Sequence, residues 1–207
     1  MPTLQPLSEL LYQALETEQG GIKVYETAIR CAVNDDLKHE WTDYLEQTRE
    51  HERVLRETME KLGLDADAQS PGRAVVRHIG ESLVMAITMA LKSGAPREAA
   101  ELVAAECVIN AETKDHANWE LIGQCAKSLD DATASVLKAA YDQVEEQEDH
   151  HLYHTKGWAR ELWLQSLGLP AVLPPPEEVK QVETAIGAAK AEASREAMLG
   201  RTAREQR

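Results

Sequence analysis

Glu148-Asp149-His150-His151 sets a carboxylate and an imidazole three residues apart, at Glu148 and His151, on a helix face shared with Tyr141, Val144 and Leu152. Residues three, four and seven apart line one side of a helix, so this side mixes metal-ligand types with core-forming ones. An unpaired carboxylate facing a core carries a heavy desolvation cost, and a cation is one way to offset it. Three other segments repeat the arrangement. Glu18 sits among Leu11, Leu15, Ile22 and Tyr25, His51 among Tyr44, Thr48, Val54 and Leu55, and Glu112 among Ala105, Val108, Ile109 and Trp119.

The heights agree. Glu18 lies 16 residues before Asn34 and His51 lies 17 after it. At about 1.5 Å per residue, both stand roughly 25 Å from the turn, so an antiparallel hairpin places them opposite each other. Glu112 and Glu148 each lie 18 residues from Asp130, which closes a second hairpin at its own matching height. Aromatic residues keep the same register: Tyr25 and Tyr44 flank the first pair, Trp119 and Tyr141 the second. They read as packing layers.

Around these positions the periodicity predicts an all-α chain. A first helix runs from about Ser8 to Val33, and the cap signal Asn34-Asp35-Asp36 opens a second that ends near Leu62 before Gly63. A polar loop containing Ser70-Pro71-Gly72 leads to a crossover helix at about residues 73–92. After Ser93-Gly94-Ala95-Pro96, a third long helix extends from about Arg97 to Lys127, and a fourth follows Asp130-Asp131 and ends near Gly168. Residues 1–169 are thus expected to form one domain. Residues 170–207 form a proline-led extension, through Pro174-Pro175-Pro176, with a weakly apolar helical segment that frays into Arg201–Arg207.

The two halves also echo each other. Aligning Glu18 with Glu112 pairs Tyr25 with Trp119, Cys31 with Cys125 and Ala32 with Ala126, and the following helices end in Leu62-Gly63-Leu64 and Leu167-Gly168-Leu169. Two repeated helical hairpins are expected, with the crossover traversing their length so that the second and third long helices run parallel.

On these residues the chain resembles the ferritin-like superfamily, whose di-metal members draw one Glu from each of two helices and Glu-x-x-His from each of the other two. Glu18, Glu112 and Glu148-x-x-His151 match that pattern over about Ser8–Gly168, and His51 matches half of the remaining motif. The position three before His51 is Thr48, so one carboxylate is missing. Asp115, His116 and Glu145 lie one turn from the matched positions and are candidates to replace it; His154 is a further auxiliary candidate. The resemblance implies a ferritin-like four-helix bundle with a crossover helix and a di-iron centre, open to dioxygen or peroxide in ferroxidase or oxidase chemistry. The ligand set also suits manganese or zinc. The competing expectation is a non-enzymatic helical scaffold with a single-metal or vestigial site.

Composition sets the outer bounds. The 207 residues contain no Phe and carry a formal charge of −14, which argues against a nucleic-acid surface. No run of about 18 uncharged apolar residues is read, so no membrane span is expected. Cys31, Cys107 and Cys125 form no Cys-x-x-Cys pair and read as small apolar residues of a reduced, cytoplasmic protein, with a homo-oligomer, such as a dimer, as the expected state.

Overall fold

The structure is a computed structural model whose described residues are 4–199, and among them the regular elements are helices and no strand occurs. Arg201–Arg207, expected to fray, lie outside the described residues. The helices are α1 (Leu4–Ala28), α2 (Asp35–Lys61), α3 (Pro71–Lys92), α4 (Arg97–Ser128), α5 (Ala132–Ser166), α6 (Pro176–Val179) and α7 (Ala185–Ala193).

Their ends follow local chemistry. Asn34 caps α2 by accepting from Leu37 N at 3.0 Å, and Ser70 caps α3 by accepting from Arg73 N. Asp131 caps α5 by accepting from Thr133 N and Ala134 N. Such side chains satisfy amide donors that the first helical turn leaves free. The repeated Leu-Gly-Leu stops α2 and α5 in the same way. Gly63 and Gly168 adopt φ of 70° and 71°, and Leu64 N and Leu169 N reach back to Met59 O and Leu164 O at 2.8 and 2.9 Å. This is the Schellman arrangement, whose left-handed residue favours glycine.

α1 ends at Ala28, five residues short of the expected Val33. Ala28 O accepts from both Cys31 N and Ala32 N, which tightens the chain into a turn. The next two amides, Val33 N and Asn34 N, are captured by the Glu101 carboxylate at 2.7 and 2.8 Å. A distant side chain thus satisfies donors that the helix would otherwise have used.

The four longest helices pack around a common interior, α1 against α2 and α4, and α5 against α4 and α2. Contacts across them fix their directions. Thr17 meets Asn118 while Val33 meets Glu101, so α1 and α4 are antiparallel. Glu26 meets Arg49 while Glu18 approaches His51, so α1 and α2 are antiparallel too. α2 and α4 therefore run parallel, as the crossover requires.

α3 lies along α1 and α4. Gly80 and Gly20 face each other so closely that a Cβ on Gly80 would stand 3.4 Å from the Gly20 Cα. Arg73 and Arg77 clamp Glu16 at 2.7 and 2.8 Å. By length and composition alone α3 is apolar enough to cross a membrane, although it carries charged residues and no run of about 18 uncharged ones. Arg77 and Glu81 interrupt this apolar stretch, and Arg73 at its start is buried against Glu16 of α1. The tail returns over α5: Arg160 holds Glu177 through paired bonds of 2.7 and 2.9 Å, and Arg195 holds Glu161 at 2.8 Å.

The glycine stops give a direct test. A Cβ at Gly63 or Gly168 would meet nothing within 4 Å, so only the backbone cost remains. Gly63→Ala and Gly168→Ala are each expected to lower stability by about 1–2 kcal/mol, read by urea denaturation. A change below about 0.3 kcal/mol in both would contradict the left-handed stops.

Candidate metal centre

Each long helix delivers ligand-type side chains to one level of the interior. Glu18 comes from α1, His51 from α2, Glu112 and Asp115 from α4, and Glu148 and His151 from α5, and all are buried. Two sets bring their ligand atoms within 4.8 Å of one another: His51, Glu148 and His151, and Glu18, Asp115 and Glu148. Glu148 belongs to both. Glu112 joins the first set through its Oε2, 3.4 Å from His151 Nδ1.

Of the three candidates for the carboxylate absent at Thr48, only Asp115 is brought to the cluster. It stands one turn after Glu112, so α4 presents Glu-x-x-Asp to the interior while α2 presents His51 alone. Thr48 is buried with its hydroxyl turned to Tyr44 O at 2.8 Å, and its methyl group faces Gly21. His116 and Glu145 are not brought to the cluster. His116 Nε2 pairs with Asp149 at 2.8 Å and Glu145 accepts from the Tyr141 hydroxyl at 2.5 Å. Both instead line a cavity of about 190 Å³ that reaches Glu148 from outside. His154 stays apart, with Nδ1 3.0 Å from the Tyr44 hydroxyl.

Two glutamines orient the imidazoles, and sequence reasoning had passed over both. His51 Nε2 lies 2.7 Å from Gln147 Oε1, and His151 Nε2 lies 2.8 Å from Gln47 Oε1. Each helix therefore braces the other helix's histidine. The available signal was the spacing Gln-x-x-x-His, present at Gln47–His51 and again at Gln147–His151. In the tautomer in which each Nε2 donates to its glutamine oxygen, the Nδ1 lone pairs point inward.

The inward atoms consequently have acceptors for neighbours. His51 Nδ1 faces Glu148 Oε1 at 2.8 Å and Glu18 Oε1 at 3.8 Å. His51 Nδ1, His151 Nδ1, Glu18 Oε2, Glu112 Oε2, Asp115 Oδ1 and both Glu148 oxygens are buried without a hydrogen-bond partner. Trp119 Nε1 donates to Glu18 Oε1 at 2.8 Å, a neutral contact that leaves the charge uncompensated. Lone pairs converging on lone pairs require protons or cations between them.

The protonation behaviour agrees. Burial pushes Glu18 well above the usual carboxylate range, with Asp115 adding to the effect. Burial does the same to Asp115, reinforced by Glu148, and to Glu148, reinforced by Glu18 and Glu112. Burial pulls His51 below its ordinary value, so it stays neutral and able to ligate.

Comparison with protein-family models, with curated proteins and with solved structures finds no match to this chain.

The raised carboxyls fix a pH dependence. Where a folded value lies above the unfolded one, the native state holds the extra proton. Its stabilisation is complete below the unfolded value of about 4 and is lost as pH rises through the folded value. Metal-free protein is therefore expected to melt at progressively lower temperature as pH rises from about 5. Protein saturated with Mn²⁺ shows the opposite trend, because binding must displace those protons. Calorimetry with chelator and with Mn²⁺ checks this, and Glu18→Gln should flatten the metal-free slope. Identical profiles with and without metal would contradict it.

Proposed function

We propose that the protein is a ferritin-like four-helix bundle that holds a two-metal carboxylate centre, with iron as the favoured metal and ferroxidase or oxidase chemistry as its activity. The observation that carries this reading is the charge of the site. Glu18, Glu112, Asp115 and Glu148 gather in one buried volume, no lysine or arginine among the described residues pairs with them, and the nearby histidines face them with lone pairs. Four carboxylates bring a formal charge of −4, which two divalent cations cancel.

In this reading Glu18, Asp115 and Glu148 hold one cation, His51, His151 and Glu112 hold the other, and Glu148 reaches both. Carboxylate and imidazole donors without thiolate suit iron or manganese, and zinc fits as well. Bound iron would supply electrons to an oxidant such as dioxygen or peroxide. The chain's own part is to fix the ligands, exclude bulk water and keep both imidazoles in the inward-ligating tautomer. Gln47 and Gln147 fix that tautomer, while Trp119 holds one Glu18 oxygen and leaves the other free. Second-layer partners of this kind commonly govern ligand basicity as well as orientation.

The scaffold alternative, with one cation or none, loses support from Asp115. A vestigial site has no need of a replacement carboxylate at the level where Thr48 lacks one.

Elemental analysis after anaerobic loading with Fe²⁺ tests the reading. At least two irons per chain are expected, with about two of them lost in Glu112→Ala/His151→Ala. Gln47→Leu and Gln147→Leu should each weaken binding by about 10–100-fold while leaving the fold intact by circular dichroism. Less than one metal per chain for Fe²⁺, Mn²⁺ and Zn²⁺ alike would overturn the two-metal centre.

A further inference from the structure

Outside the centre, a second group of buried acceptors lies where the C-terminal extension crosses α2 and α5. A cavity of about 320 Å³ opens there, with Asp36, His39 and Asp43 near Glu40, Tyr44, Gln47 and Glu178 in its lining. Glu40 is only 9% exposed. Its Oε2 accepts from Trp158 Nε1 at 2.5 Å, but its Oε1 has no partner. Glu178 Oε2 is likewise buried and unpartnered. The two carboxyl groups meet, and neither is paired with a lysine or arginine among the described residues. Burial first, and then the Glu40 carboxyl, push Glu178 up to about 9.

The extension holds Glu178 in place. The preceding residue, Glu177, is 2% exposed and locked to Arg160, and it fits there because position 157 is glycine: a Cβ would stand 2.5 Å from Glu177 Oε2. On the bundle side, His154 Nδ1 lies 3.5 Å from Glu40 Oε1 and 3.0 Å from the Tyr44 hydroxyl. Burial pulls this imidazole down to about 4, so it is neutral. The cavity also borders the centre, because Gln47 lines it and touches His151 Nε2.

We propose that Glu40 and Glu178, with His154 beside them, form a separate binding site for one divalent cation, and that this site loads the inner centre. Two carboxylates match a charge of +2, and hard oxygen donors suit Mn²⁺ or Fe²⁺. The acidic mouth raises the local cation concentration, as clefts of one sign do. The binding site stands independently; its loading role rests on the inner centre being a metal site. It gives the extension a function, since Glu178 reaches the cavity only while α6 is clamped to α5.

Mn²⁺ titration, with free ion counted by its electron paramagnetic resonance signal, separates the two sites. Wild type should bind about three ions per chain, Glu178→Gln about two, and Glu112→Ala/His151→Ala about one. In Glu178→Gln the inner ions should bind with unchanged stoichiometry but on the order of tenfold more slowly at low salt. The near-isosteric Glu40→Gln should behave likewise, and unchanged melting of either variant shows that the fold is kept. Equal stoichiometry in wild type, Glu178→Gln and Glu40→Gln would overturn the outer site, as would loss of all binding in the inner double variant. If the inner double variant binds as many ions as wild type and only Glu178→Gln loses one, the inner centre fails and the outer site stands.

Discussion

Carboxylates confined with one another in an interior where no lysine or arginine among the described residues forms an ion pair with them set the terms for everything else in this fold. Glu18, Glu112, Asp115 and Glu148 come from three helices and reach one level, where desolvation and then neighbouring carboxylates oppose ionisation of Glu18, Asp115 and Glu148. A protein maintains such a cluster only if protons or metal ions occupy it. The surrounding structure is consistent with that demand. Tryptophan and tyrosine layers wall the level, glutamines fix the imidazoles, and the helices cross at a constant height set by two matched hairpins.

The reciprocal bracing of His51 by Gln147 and His151 by Gln47 ties α2 to α5, a pair that packs less extensively than α4 with α5. The same hydrogen bonds that orient ligands thus help close the ring of four helices. Tyr44 continues the link: its ring packs on His151 with centroids 4.1 Å apart, and its hydroxyl meets His154 on the way to the outer cavity. Inner centre, outer carboxyl pair and C-terminal extension are therefore joined along one side of α2 and α5.

The helical character and the segment order were legible because apolar residues recur at helical spacing and the breaks carry Asn, Gly and Pro at the positions their roles require. Glu18, His51, Glu112, Glu148 and His151 could be placed at one height by counting from Asn34 and Asp130. Asp115 could be named only as one of three substitutes, since Asp115 and His116 are adjacent and a one-residue step rotates a side chain by about 100°. Packing decides which of them faces inward. Glu101 shortening α1 was not legible, because it acts across 67 residues of sequence. Glu40 and Glu178 were hidden for the same reason: neither belongs to a spacing motif, and they meet only because the extension folds back.

Anomalous diffraction from crystals loaded with Fe²⁺ under anaerobic conditions, recorded on both sides of the iron edge, bears most directly on the central claim. The account predicts two peaks at the level of Glu148, one beside Glu18 and Asp115 and the other beside His51, His151 and Glu112. No peak at that level in fully loaded crystals would contradict it.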